Sequence, residues 1–181
     1  MRHVPRFLHV LWIAVAILVP LAAIILAISI PGAVYGTPLN ISFPGDTVVQ
    51  YGAIGLFAIG GMLLVSSGRS LGRFMVIDIA VAEDHELITS GPYARIRHPA
   101  YAGVLLLGVA ASLYILNLLL AVNFLVALTV ATYRARLEEE LLASSAGFGA
   151  RYREYMARTG RFLPKLTRSQ GSRPRHPRGG R

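Results

Sequence analysis

Residues 7–30 read FLHVLWIAVAILVPLAAIILAISI, 24 consecutive positions without one Asp, Glu, Lys or Arg. A soluble helix needs a polar stripe for water, and this run has none, so lipid is the solvent that suits it. At 1.5 Å per residue, a helix of this length crosses a hydrocarbon layer about 30 Å thick. The preceding MRHVPR resembles the basic end of a signal peptide. The run is longer than the ~7–15 apolar residues of a secretory core, however, and no small-x-small cleavage site follows, so it reads as a retained anchor. Pro20 within it predicts a kink, because proline removes one ladder hydrogen bond and crowds the carbonyl four residues back.

Three more apolar runs follow, at 47–67, 100–116 and 118–132. The whole chain is 54% hydrophobic and 15% charged, above the ~45–50% apolar content of soluble domains. The expected fold is therefore an all-α integral membrane protein with about four transmembrane helices, at 7–30, 47–67, 100–116 and 118–132. One domain covers 1–164. The absence of cysteine excludes disulfides, thiolate metal sites and cysteine nucleophiles. Gly52, Gly55, Gly60 and Gly61 suit close helix–helix approach in lipid. Asn117 is a thin connector between the last two runs, which predicts a helical hairpin, with one bent helix as the alternative. Between the second and third runs, 75–81 and 86–89 suit a small hairpin or an irregular loop.

Charge sets the orientation. Of 18 Lys and Arg, two precede the first run, four lie in 69–97 and twelve lie from Arg134 onward. None lies in 31–46 or near Asn117. By the positive-inside rule, four spans with both termini cytoplasmic place all of them on one side. The segment after 132 reads as a helix leaving the bilayer and folding back as a cytoplasmic helical segment. Residues 165–181 have almost no apolar side chains and many Arg, Gly and Pro, which predicts a disordered basic tail. Such a tail is drawn to anionic headgroups by roughly 1 kcal/mol per basic residue held near the surface. It offers no aromatic platform for bases, so no nucleic acid partner is expected.

The segment GPYARIRHPAYAG at 91–103 stands out between these apolar runs. Pro99 suits the first turn of a helix, where its missing N–H is harmless, and this puts His98 at the cap. Unpaired N–H groups and the positive dipole end gather there, which suits an anion. Arg97 adds a planar fork that matches a carboxylate. Tyr93 and Tyr101 offer ring faces for an adenine or a cation. A second polar cluster, Glu138, Glu139 and Glu140, follows the fourth run. On a helix Arg134 meets Glu138 and Arg136 meets Glu140 at i, i+4. Glu139 has no such partner, which leaves it the more available to a ligand. Each of these features also has a plainer role, as snorkelling cations, an aromatic belt or a solvated helix face.

Taken in order, LITSGPY at 87–93, RHPAYAG at 97–103, the Glu run, FGARYREY at 148–155 and RFLP at 161–164 are similar to the integral membrane methyltransferases of the isoprenylcysteine carboxyl methyltransferase and phospholipid methyltransferase superfamily. The resemblance covers about 87–164. It implies S-adenosylmethionine as cofactor, bound on the cytosolic side between two walls. Gly91, Pro92, Tyr93, Arg97, His98, Pro99, Tyr101 and Gly103 correspond to one wall, and Glu138 and Glu139 to the other. Tyr152, Tyr155 and Arg161 would close the site. Arg97, His98 and Glu139 would carry the chemistry, on a lipid-like small-molecule acceptor reached from the bilayer.

Methyl transfer from a sulfonium needs a nucleophile held about 3–3.5 Å from the methyl carbon and in line with the sulfur. A carboxylate acceptor needs no base; an amine must first lose a proton. No metal is implied, and His3, His9, His85, His98 and His176 are dispersed. Two other classes remain open: an NADPH-dependent sterol-type membrane reductase, and a non-catalytic membrane protein with a basic tail.

Overall fold

Pro20 decides how the first helix is built. In the computed structural model, which describes residues 6–72 and 87–165, this helix (α1) is α-helical over Arg6–Ile13, π-helical over Ala14–Leu18 and α-helical again over Val19–Ser29. The expected kink site is thus a π turn, in which the Val19 N–H reaches Ala14 O. In that register Pro20 should return a hydrogen bond to Val15 O and has no N–H to do so. Asn123 Nδ2 donates to Val15 O instead, at 2.7 Å.

A short helix, α2 (Pro31–Tyr35), leads to α3 (Asp46–Leu71), 26 residues. After a 3-10 turn at Gly91–Ala94 come α4 (Pro99–Ile115) and α5 (Leu118–Leu142), and α6 (Ala150–Arg158) follows. Among the described residues there is no strand, only two isolated bridges. The expected pairing over 75–81, and all of the expected tail at 165–181 except Lys165, lie outside the described residues. Leu87, Ile88 and Thr89, at the edge of that region, form no strand.

Among the described residues three helices are long and apolar enough to cross a membrane, Phe7–Ser29, Asp46–Leu71 and Leu118–Leu142, and the apolar Pro99–Ile115 is shorter. The fourth expected span, 118–132, continues without a break to Leu142, because YRARLEEELL is composed mostly of strong helix formers. Between α4 and α5 the chain forms a hairpin. Leu116 takes a left-handed conformation with φ 54°, and the Asn117 side chain caps α5 by accepting from Leu119 N at 3.0 Å. Leu39 and Ile41 hold this corner: Ile41 N donates to Leu116 O and Leu118 N to Leu39 O.

Large apolar side chains face outward along the helices, with Ile28 77% exposed, Val48 74% and Met62 68%. Such a surface belongs against lipid. The interior is made of small residues, including Ala53, Ala102, Ala110, Ala111, Ala127, Ala131 and Ala135, as expected where close packing replaces the hydrophobic drive between helices. Gly60 and Gly103 touch across α3 and α4: a Cβ on either would lie 3.0 Å from the other's carbonyl oxygen. Gly52, Gly55 and Gly61 have nothing within 4 Å of that position. The packing role expected of four glycines therefore falls to Gly60 alone among them. Trp12, Ala16, Leu105, Ala127, Val130 and Ala131 form the core where α1, α4 and α5 meet. Antiparallel pairing of α4 and α5 brings the start of α4 beside the end of α5.

Candidate active site

That meeting point is polar. Pro99 is the first residue of α4 and His98 its N-cap, so the RHP triplet turns the chain from loop into helix. Two positions near the end of α5, Glu138 and Glu139, face it. The Glu139 carboxylate is 3% exposed and holds three side chains. Arg97 Nε donates to Oε1 at 2.8 Å. His98 Nε2 lies 3.2 Å from the same oxygen and carries the proton there, because an ionised carboxylate only accepts. Arg161 grips both oxygens, with Nη2 to Oε2 at 2.6 Å.

Main-chain bonds fix the approach of the C-terminal segment. Gly160 N donates to Arg95 O at 3.1 Å, Arg97 N to Gly160 O at 2.8 Å and His98 N to Arg161 O at 3.0 Å. This short parallel pairing ties residues 95–98 to residues 160–161. Arg97 Nη1 also donates to the carbonyls of Met156 and Thr159, so its fork is committed on both sides. Tyr155 braces the same loop: its hydroxyl donates to Tyr93 O at 2.6 Å. Burial pushes the Tyr155 phenol up to about 12, which keeps it a donor at neutral pH.

Glu138 is placed differently. Its side chain is 26% exposed; Tyr101 Oη donates to its Oε2 at 3.3 Å and His98 Nδ1 lies 3.7 Å from that oxygen. The rings of His98 and Tyr101 stack, with centroids 5.4 Å apart and 10° between planes. Trp12 lies 5.2 Å from Tyr101 and Phe162 lies 6.2 Å from His98. Tyr93 and Tyr152 are buried nearby. Burial first, and the negative charge of Glu138 next, raise both phenols well above the usual tyrosine range.

The structure therefore brings Arg97, His98, Tyr101, Glu138, Glu139 and Arg161 into one cluster, with Tyr93, Tyr152 and Tyr155 packed around it. Gly91 (φ +58°) and Pro92 shape the 3-10 turn before it, and a Cβ on Gly91 would meet Ser70 Oγ of α3 at 2.5 Å. Gly103 stands apart, at the crossing with Gly60 and Leu64; its setting is helix packing. Glu139 also departs from expectation. Lacking a helical i, i+4 partner made it look free, yet it is the most fully engaged carboxylate of the cluster. The helix rule sees only neighbours on one element, and its partners come from residues 97–98 and 161. Arg134, expected to pair with Glu138, turns its Nε to Tyr101 Oη at 3.4 Å.

Sequence reasoning missed Trp12, Phe162 and the carbonyls of Met156 and Thr159. Trp12 sits in an apolar run with no local signal, and no side-chain pattern marks a backbone acceptor. Among the described residues no group of His, Asp and Glu could hold a metal ion.

Residues 53–144 match the model of the isoprenylcysteine carboxyl methyltransferase family. Similar proteins include protein-S-isoprenylcysteine O-methyltransferase of Homo sapiens, 31% identical over 118 residues that cover 59% of this chain and 41% of that protein. A probable protein-S-isoprenylcysteine O-methyltransferase of Oryza sativa subsp. indica is 32% identical over 124 residues, 68% of this chain and 61% of that one. The Schizosaccharomyces pombe protein of the former name is 28% identical over 125 residues, 66% and 51% of the two chains. The matched stretch spans less than two thirds of the length of each of these relatives.

Proposed function

The chain belongs to the isoprenylcysteine carboxyl methyltransferase family, and from that premise we propose that it is a membrane-embedded methyltransferase, moving a methyl group from S-adenosylmethionine to the carboxylate of a lipid-like acceptor. One observation carries this reading: two polar segments 41 positions apart in sequence, at His98 and Glu139, converge where α4 begins and α5 ends.

The donor set suits the cofactor. S-adenosylmethionine joins a carboxylate, an ammonium, a sulfonium, ribose hydroxyls and an adenine ring. Arg161, with its side chain 28% exposed, is the cation with room to meet a carboxylate. Glu138, partly exposed, keeps acceptor capacity for the ammonium or the hydroxyls. The rings of Tyr93, Tyr101 and Tyr152 offer faces to the adenine or the sulfonium. The chemistry supplied by the bound cofactor is an electrophilic methyl carbon, whose transfer to a carboxylate oxygen leaves sulfur with the electron pair and releases no proton.

Glu139 acts as the positioning residue. It is the shared acceptor of Arg97, His98 and Arg161 and holds them in place, so these side chains need little reorganisation when a ligand arrives. That commitment also bears on the acceptor. An amine would need a base to take its proton, and the most buried carboxylate is occupied by three partners. A carboxylate acceptor needs no base, and the surrounding cations favour it. The names of the relatives, which act on S-isoprenylcysteine, support the same choice.

The crowding of Lys and Arg at one set of helix ends supports cytoplasmic termini and a cytoplasmic site. The basic residues beyond 165 add an attraction for anionic headgroups.

Calorimetry on purified protein in detergent tests the proposal. Wild type should bind S-adenosylhomocysteine at micromolar levels and NADPH far more weakly. His98→Ala and Glu139→Ala should weaken that binding by roughly tenfold or more, the loss of one to two charge-assisted hydrogen bonds. Unchanged binding in folded variants would place the cofactor elsewhere. Tighter binding of NADPH would turn the reading towards a reductase.

A further inference from the structure

Trp12 is the largest buried side chain in the core shared by α1, α4 and α5, and its buried companions there are Ala16, Leu105, Ala127, Val130 and Ala131. It is 6% exposed. Its ring lies 5.2 Å from that of Tyr101, at 56°, and Tyr101 stacks on His98 at 5.4 Å. An aromatic column thus runs from the core of the bundle to the polar cluster, and α1 supplies its inner end. This helix precedes residues 53–144, the stretch that matches the family model.

Helix geometry fixes the placement. The buried positions of α1 are Leu8, Trp12, Ala16 and Pro20, four residues apart. In an α-helix each step of four overshoots a full turn by about 40°, so a uniform helix would carry Pro20 well away from the face of Leu8. The π turn at Ala14–Leu18 has more residues per turn and takes up part of that drift. Trp12, Ala16 and Pro20 therefore all point inward, and Asn123 fixes the turn through its bond to Val15 O. The other side of α1 meets lipid, with Phe7 66% and Val10 65% exposed. On this side one helix separates Tyr101 from the bilayer, and the indole is what that helix sets against the site.

An amphiphilic acceptor leaves its acid head at the cluster and its chain on the apolar side. Behind Tyr101 the alanines at 16, 127 and 131 leave room, and the indole fills it. We propose that Trp12 is the specificity-determining residue for the acceptor's chain. The indole ends the apolar space behind the site, so the acceptors of this protein are carboxylic amphiphiles with a short chain, geranyl-sized rather than geranylgeranyl-sized. This rests on the methyltransferase reading and deepens it. A smaller side chain at this position leaves an apolar cavity among the alanines. An added isoprene unit that enters it gains the dispersion contacts the empty space lacks.

Chain-length discrimination is the direct test. The probes are N-acetyl-S-geranylcysteine, its farnesyl analogue and its geranylgeranyl analogue. Binding is measured by calorimetry in detergent micelles, with each ligand expressed per detergent molecule so that partition into the micelle cancels. Wild type should bind the geranyl compound roughly tenfold or more tighter than the geranylgeranyl compound. Trp12→Leu should shift that ratio towards the longer chain by roughly tenfold, and Trp12→Phe by less. A merely structural role for the indole would weaken all three compounds by one factor and leave their ratios unchanged. The proposal is overturned if wild type binds the longest compound as well as the shortest, if it binds none of the three, or if folded Trp12→Leu and Trp12→Phe keep the wild-type ratio. Methyl transfer is scored separately with tritiated S-adenosylmethionine. Wild type that binds the acids and methylates none of them would remove the methyltransferase reading, and the binding ratios would still decide the role of Trp12.

Discussion

Two regions of α4 hold their neighbours by opposite means. At Gly103 the backbone presses against Gly60 of α3 so closely that neither position has room for a side chain. At His98, five residues earlier, contact with α5 and with residues 160–161 is made by charged groups and shared hydrogen bonds. The crossing relies on removing atoms, and the cluster relies on saturating them. In lipid, apolar surfaces gain little by leaving their solvent, so helices join through close packing. Where charged groups are buried, each must find partners, and three elements must arrive together to supply them. A crossing of small residues therefore needs two helices, while the cluster needs the start of α4, the end of α5 and the segment after α6.

The comparison is broken most directly at Glu139. Glu139→Gln leaves Arg97, His98 and Arg161 without their shared anion and should cost about 3–5 kcal/mol. Denaturant titration in micelles reads this, together with loss of S-adenosylhomocysteine binding. A variant as stable as wild type would show that the cluster does not hold the three elements together. Gly103→Leu comes next. The added side chain meets Gly60 O and Leu64 and should cost about 1–3 kcal/mol. Gly55→Ala, on the open part of α3, should instead be neutral or stabilise by up to about 1 kcal/mol. Equal effects at the two glycines would erase the distinction between crossing and open face. The smallest change belongs to Asn123→Leu. It removes the donor to Val15 O and should cost about 1 kcal/mol, with cofactor affinity unchanged, since the π turn lies on the far side of Trp12 from the cluster.

Much of this was legible beforehand. The apolar runs announce their helices because lipid requires a residue-by-residue excess of apolar side chains, which composition records directly. Asn117 marks the hairpin, as an N-cap must. Pro99 marks the start of α4, and both Glu138 and Glu139 face the cluster while Glu140 is exposed. Other features had no local trace. Nothing in 7–30 distinguishes Trp12, which reaches Tyr101, from Phe7, which is 66% exposed. Arg134 and Glu138 have the spacing of a helical ion pair, yet Tyr101 lies between them in the hydrogen-bond chain. Gly52, Gly55 and Gly61 have the same chemistry as Gly60, and only the path of α4 separates them.

By itself the sequence showed which segments suit lipid, the order of the apolar helices among the described residues, and the residue types available at their ends. These depend on transfer of single side chains between water and lipid, which each position decides almost alone. Tertiary structure decided which carboxylate is saturated and which keeps capacity, which glycine closes a crossing, and which arginine is left with a donor unmet. Those outcomes depend on distances between groups tens of residues apart, and a few ångströms, set only when the helices pack, separate a committed side chain from one with a donor unmet.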